Sequence, residues 1–446
     1  MATKNGIAVM LFTRDLRTQD NLALIHCLKN FKTTIPLFCF DPVQVQPQPY
    51  RSIRSIQFMI ESVIELNEAL KGRLHIMYMT TKDAIQEIKK FVDIDAIVCS
   101  KDYTPFAKRR AESLGLTEIE NHMLNPNIRN GSGQVYKVFT PFYNRSKSDS
   151  ISRPKRLPKE WHKSLKSLKM ESIIKPMTLF KTILGNSKLE PCILKGGRKE
   201  GLKLLRSIPI KYAETRNNPS LKTSMLSPHH KFGTISIRET YWAIIMAFSP
   251  MKKTTYSNPN MEALIRQLYW RDFYYHISEE YPRIYRGPFN LKFTGIKWKN
   301  SRVMFRKWCE GRTGVPFVDA GMRQLNQEGW MHNRLRMVVA GFLCKDLHID
   351  WRWGEKYFAT QLVDYDPAQN NGGWQWAAGT GTDASPYFRI MNPWSQSKRF
   401  DPQGKYIRKY VPELKDMPSK ELHNPIHHTP IVDHAIARKQ TLNMYS

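Results

Sequence analysis

Between residues 7 and 120 the chain alternates short apolar runs with segments whose apolar positions recur every three or four residues. Ile7–Thr13, Thr34–Phe40, Leu74–Met79, Ala96–Ser100 and Glu118–Glu120 are too short for helices and predict strands. Asn21–Lys29, Ser52–Leu70, Asp83–Phe91 and Ala107–Leu114 fall between them and predict helices. Within Ser52–Leu70, Ile56, Ile60, Val63, Ile64 and Ala69 follow helical spacing, and Gly72 supplies the stop. Strand–helix–strand repetition predicts a parallel sheet with helices on both faces. No G-x-G-x-x-G follows the first strand, which argues against an NAD-type phosphate site there.

The pattern then changes twice. Residues 129–190 open with Asn130-Gly131-Ser132-Gly133 and carry Pro154, Pro158 and Pro176. From Arg145 to Arg206 there are 17 Lys and Arg against 5 Asp and Glu. Such a stretch predicts a solvated, basic linker that can also touch nucleic-acid phosphates. From Gly196 onward the period is helical: Gly201–Ser207, Ile237–Phe248, Met261–Glu280, Ser301–Glu310, Phe317–Gln327 and Trp330–Leu347. The expected organisation is an α/β domain over 1–128, a Lys-rich linker over 129–190 and a mostly α-helical domain over 191–446.

The 446 residues are 41% hydrophobic with a mean hydropathy of −0.50, so the chain is expected to be globular and soluble. No apolar run reaches membrane length. The opening MATKNGIAVMLF runs into charged RDLR, which suits a first strand better than a signal peptide. Six scattered cysteines without a CxxC pair read as thiols in a reducing, intracellular compartment, cytoplasm or nucleus. A net charge of +30 points to a polyanionic partner, nucleic acid first; a generally basic proteome is the alternative.

Four stretches carry candidate chemistry. In DYDPAQNNGGWQWAAGTGTD, Asp364 and Asp366 precede Asn370, Asn371, Gly372 and Gly373, and then Trp374 and Trp376. Asn-Asn-Gly-Gly predicts a turn that lets backbone approach a ligand closely. Aromatic faces beside fixed carboxylates suit a flat, partly polar ligand, or else a loop whose tryptophans are core. In YAETRNNPSLKTSMLS, Thr223, Ser224 and Ser227 crowd hydroxyls before Pro228, which suits an anion site or a plain helix cap. In QLYWRDFYY, Gln267, Trp270 and Arg271 stand at i, i+3 and i+4 and share one helical face. Leu335, Val338, Val339 and Phe342 predict a core stripe, while Trp330, Asn333, Arg334 and Met337 form a second stripe that suggests a cavity. Two aspartates without a third ligand, and C-terminal histidines without regular spacing, make no metal site.

WMHNRLRM (330–337), IDW (349–351), NNGGWQWAAGTGTD (370–383) and PYFRIMNP (386–393) carry a resemblance to the DNA photolyase/cryptochrome family, nearest the class I cyclobutane pyrimidine dimer photolyases. The resemblance extends from FTRDLRTQDNLAL to the end of the chain. It implies a Rossmann-like α/β domain followed by a helical domain that buries FAD. It also implies light-driven repair of pyrimidine dimers in DNA by a monomeric enzyme without membrane attachment. By resemblance Tyr212, Thr223, Ser224, Leu226, Ser227, Arg271, Asn333, Arg336, Asp364, Asp366 and Asn370 hold FAD, with Asn333 near the flavin N5. Arg216, Gln267, Trp270, Arg334, Met337 and Trp376 meet the lesion. Trp298, Trp351 and Trp374 match the family's electron relay.

Three departures matter. Gln267 stands where repair enzymes usually carry Glu. Met225 stands where some relatives carry a basic residue. Phe106 and Ala107 stand where folate-binding relatives carry Asn and Glu, so a second, light-gathering chromophore is expected to be deazaflavin or flavin, or absent. The alternatives are a six-four photolyase, disfavoured by Asn333 and Met337, and a cryptochrome sensor. The close at Ser446, soon after IVDHAIARKQTL, is expected to disfavour the sensor.

Overall fold

The computed structural model describes residues 5–248, 258–383, 389–425 and 428–446. Strands β1 (Ile7–Phe12), β2 (Thr33–Cys39), β3 (His75–Met77), β4 (Ala96–Ser100) and β5 (Thr117–Ile119) form one sheet in the order β3-β2-β1-β4-β5. Every pairing is parallel. The alternation of β1 explains the helices on both faces. Ala8, Met10 and Phe12 pack with Ala23, Leu24, Cys27 and Leu28 of α1 (Leu22–Asn30) and with α2 (Ile53–Ala69). Val9 and Leu11 pack on the other side with Ala84, Ile85 and Ile88 of α3 (Thr81–Lys89), and α4 (Pro105–Leu114) follows β4. Asn21, Ser52 and Thr80 cap these helices through their side chains.

In this strand order the sheet reverses direction between β1 and β4, where doubly wound sheets usually leave a ligand crevice. Here side chains fill it. Ser100 donates to Asp15 at 2.6 Å, Asn121 donates to Ser100, and Arg17 and Arg238 both donate to Asn121 Oδ1. Arg238 also grips Asp20 at 2.9 Å and belongs to the helical half, so this network ties the halves together.

The stretch over 129–190 is docked rather than solvated. Leu165, Leu168, Leu179, Ile183 and Leu184 are buried against the sheet and its helices, and Thr34 bridges to Leu165. Short apolar anchors between lysines hide this from a charge count. The Ile237–Phe248 stretch is helical as expected (α5). Met261–Glu280 extends to α6 (Pro259–Glu280), Asn258 capping it ahead of Pro259. The last predicted helix begins late, as α7 (Asn333–Lys345), because the His332 ring accepts from the Arg334 N–H and caps it.

The Asn-Asn-Gly-Gly expectation is corrected. After α8 (Trp351–Gln361), residues Pro367–Ala378 form a continuous helix, α9, capped by Asp366 and ended by Gly379 at φ +81°. Gly372 is inside this helix for space: a Cβ there would come within 2.2 Å of the Tyr274 ring. α9 packs against α6, α7 and α8. The apolar stripe of α7, Leu335, Val338, Val339 and Phe342, is buried as its spacing predicts.

Candidate cofactor and substrate cavity

A cavity of about 550 Å³ opens between α5, α6, α7, α9 and the segment from Ile208 to Lys231. Its wall contains Tyr212, Arg216, Thr223, Ser224, Leu226, Ser227, Gln267, Trp270, Arg271, Asn333, Arg334, Arg336, Met337, Asp364, Asp366, Asn370, Trp374 and Trp376. The sequence candidates therefore converge on one space, apart from Trp298 and Trp351. Those two lie outside its wall: Trp351 is buried in one core cluster with Trp374, and half-buried Trp298 packs at the margin of that cluster.

Asp366 is fixed from the α/β half. Arg14, just beyond β1, donates to Asp366, and also to the Tyr275 hydroxyl at 2.7 Å. Tyr275 donates to the same carboxylate at 2.7 Å. Burial pushes the Asp366 carboxyl up, but Arg14, Tyr275 and Arg271 outweigh it and hold it below its usual value. Its other oxygen caps α9 through the Ala368 and Gln369 N–H groups. Asp364 accepts from Arg336 at 2.8 Å through Oδ2, while its Oδ1 is buried without a protein partner. A buried carboxylate oxygen in a cavity wall calls for a donor from whatever occupies the cavity.

Among the described residues, Arg216 and Arg334 of the cavity wall form no ion pair with an acid. Arg334 donates to Asn217 at 2.6 Å and lies 4.1 Å from the Phe400 ring centroid. Burial and the neighbouring Arg216, Arg399 and Arg389 lower its pKa to about 10. Deeper in, Arg271 donates to the His122 and His230 carbonyls. Lys231 donates to Ser55 at 3.0 Å, and burial with Arg14 brings its pKa down to about 8 despite the two aspartates. Ser227 opens a short helix, Ser227–Lys231, that has no side-chain cap, and Thr223 and Ser224 lie in the segment just before it. Hydroxyls, free helix N–H groups and cations suit a phosphate-bearing ligand.

The aromatic candidates differ in what they offer. Trp270 stacks on Phe139 at 3.7 Å, so one indole face is already covered. Trp374 is buried edge-on to Phe358 and Trp308, with centroids 4.9 and 6.1 Å away. Gln267 donates from Nε2 to the Ala263 carbonyl at 3.1 Å. That carbonyl can only accept, which settles the amide orientation. Asn333 and Gly373 are exposed in the wall, and a Cβ on Gly373 would meet no protein atom within 4 Å.

Sequence reading missed Arg14, Lys231, Tyr275 and Glu355. Arg14 and Asp366 are 352 positions apart, and only the strand-end position of Arg14 hinted at a site. His332 is another wall residue. Its Nδ1 accepts the Arg334 N–H, so Nε2 carries the ring proton and is buried without a protein partner. Burial, then Arg334, Arg336 and Arg216, push its pKa down to about 4. Among the described residues no group of three or more His, Cys, Asp or Glu is placed to hold a metal. Pro386–Phe388, part of the PYFRIMNP motif, lies outside the described residues.

The FAD binding domain of DNA photolyase matches residues 264–446, and the DNA photolyase domain matches residues 8–160. A deoxyribodipyrimidine photo-lyase of Alkalihalophilus pseudofirmus is 33% identical over 100% of this chain and 99% of its own. The archaeal photolyase of Sulfolobus tokodaii, solved with two FAD molecules, superposes with a TM-score of 0.86 at 36% identity, covering 98% of this chain and 99% of that one. A Synechocystis cryptochrome gives 0.87 at 27% identity, with full coverage of both chains. With a carboxylate-and-arginine cavity of this kind and a full-length likeness on both sides, the chain belongs to the DNA photolyase family.

Proposed function

We propose that this protein is a deoxyribodipyrimidine photolyase that repairs cyclobutane pyrimidine dimers in DNA, acting as a monomer. The observation that carries the reading is the cavity: its hydroxyls and cations suit a phosphate-bearing flavin cofactor, and Arg216 and Arg334 in its wall have no acid partner among the described residues. FAD, when bound and reduced, supplies under light the electron that opens the cyclobutane ring. The fit to FAD rests on the partnerless Asp364 Oδ1, which can accept a ring N–H, and on the hydroxyls and cations at the opposite wall.

The chain's own residues do the rest. Tyr212, Thr223, Ser224, Leu226, Ser227, Arg271, Asn333 and Arg336 would hold the cofactor, together with Asp364, Asp366 and Asn370. Arg216 and Arg334 bind phosphates flanking the dimer, and Trp270, Trp376, Met337 and Gln267 receive the bases turned out of the duplex. Trp374, Trp351 and Trp298 carry electrons inward from the surface. For an antenna, flavin, deazaflavin or none remains compatible, because Phe106 and Ala107 offer no acid to a pterin.

The test is loss of thymine dimers from irradiated DNA by purified, FAD-loaded protein, in light and in darkness. Loss in light alone is expected. Absence of loss in both, with reduced FAD bound, would hand the reading to a cryptochrome-type sensor.

A further inference from the structure

Behind the cavity wall sits a carboxyl that no part of the repair scheme uses. Glu355 of α8 is 6% exposed. Its Oε1 accepts from the Tyr365 hydroxyl at 3.2 Å and from Asn370 Nδ2 at 3.4 Å, and both donors belong to residues of the cavity wall. Asn370 Nδ2 also donates to the Glu355 backbone carbonyl at 3.3 Å. A carbonyl only accepts, so the amide nitrogen faces Glu355 and the amide oxygen is left for the cavity. Tyr365 in turn stacks on Tyr50, centroids 6.3 Å apart, and Tyr50 is 44% exposed. Solvent, Tyr50, Tyr365, Glu355 and Asn370 thus form one line from surface to cavity.

We propose that Glu355 is a positioning residue for the cofactor, which orients Asn370 and takes up a proton from solvent when negative charge arrives in the cavity. The proposal rests on the reading of the cavity as an FAD site. In the step, an external reductant delivers electrons to the bound cofactor, whose own proton uptake is separate, and one further proton from bulk water goes to the carboxylate, which gains one O–H bond.

Burial pushes the Glu355 carboxyl up to about 7, against the hydrogen bonds from Asn370 and Tyr365. It is therefore poised between its two forms near neutrality. The groups around it do not compensate its charge. Asn370 faces it from α9, Tyr365 from the intervening loop, and Tyr50, whose own hydroxyl is raised by burial and by Glu355, from ahead of α2. Arg54 of α2 is engaged by Gln361, Asn326 and Glu190, and Arg336 of α7 by Asp364. Two other groups near the cavity titrate close to neutrality: Lys231 at about 8, and Asp272, raised by burial to about 7. A variant at Glu355 separates its share from theirs.

The experiment measures the midpoint potential of FAD in the holoenzyme from pH 5.5 to 8.5, about a unit and a half either side of the Glu355 titration, for wild type, Glu355→Gln and Glu355→Asp. Wild type and Glu355→Asp are expected to show a steeper pH dependence above neutrality than below it, and Glu355→Gln is expected to lose that break. The same slope in wild type and Glu355→Gln throughout would overturn the proposal. The reduced-minus-oxidised infrared spectrum of wild type above neutrality provides a check that needs no variant. It should gain a protonated-carboxyl C=O band, and a spectrum without one also overturns the proposal. Flavin absorbance before reduction reports cofactor binding separately; a chain that takes up no FAD would overturn the cofactor reading and this proposal with it.

Discussion

Gln267 can accept from and donate to a base edge at any pH, but it carries no ionisable proton. One of its amide N–H groups is already spent on Ala263, so the amide oxygen is the atom best placed to meet a base. A Glu here could hold a proton in a buried site and stabilise charge developing on the dimer. Gln267→Glu is therefore expected to raise the repair yield per photon, with binding changed by no more than about 1–2 kcal/mol, the worth of one hydrogen bond. Single-turnover repair under counted photons checks this, and an unchanged or lower yield would remove the proton argument. At Glu355 the sign runs the other way in stability. Its folded pKa lies above the unfolded value, so the native state holds the extra proton between the two and loses stability as pH rises through that window. Glu355→Gln keeps the neutral shape without that loss. It is expected to match wild type near pH 4, below both values, and to exceed it at pH 8 by about 3 kcal/mol in urea unfolding of the cofactor-free protein.

At the scale of elements, α9 decides the site, since it carries Asn370, Gly373, Trp374 and Trp376 into the wall from a cap anchored on Arg14. Its two adjacent glycines serve different purposes. Gly372→Ala would force a Cβ into the Tyr274 ring and is expected to cost about 1–3 kcal/mol in denaturant unfolding. Gly373→Ala meets no protein atom, should leave unfolding stability at or slightly above wild type, and should weaken FAD binding by intruding on the cavity. The pair also marks what the sequence could convey. β1 and β2 were legible because a strand buried on both faces is a continuous apolar run, and the caps Asn21 and Ser52 stand in plain view. α9 was misread because Asn-Asn-Gly-Gly has turn propensity that packing against α6, α7 and α8 overrides. The wall residues of α6 and α7 could be placed by helical spacing and resemblance. Arg14, Tyr275 and Glu355 could not, because each acts on the site through another side chain, over a sequence separation that no period records.

The whole chain carries a net charge of +30, and Arg216, Arg389 and Arg399 gather close enough to Arg334 at the cavity to lower its pKa. Affinity for dimer-containing DNA is expected to fall by about 0.9 log unit per log unit of salt for each phosphate neutralised. Arg334→Ala should weaken binding to damaged DNA more than to undamaged DNA, and equal losses in filter binding would reduce it to a phosphate contact. The core that holds Trp374 and Trp351, with Trp298 at its margin, is the proposed electron relay. Trp374→Phe should block light-driven reduction of the oxidised cofactor in absorbance traces, yet leave repair by chemically reduced enzyme largely intact, because the relay feeds the cofactor and not the lesion. The central claim is that one cavity brings reduced flavin and a pyrimidine dimer together for light-driven splitting. The most direct measurement is the action spectrum of dimer loss by chemically reduced holoenzyme acting on a defined thymine-dimer oligonucleotide. The account predicts that repair follows the absorption of the reduced flavin and stops in darkness. Dimer loss that proceeds without light, or an enzyme that holds reduced FAD and the oligonucleotide together yet splits no dimer at any wavelength, would contradict it.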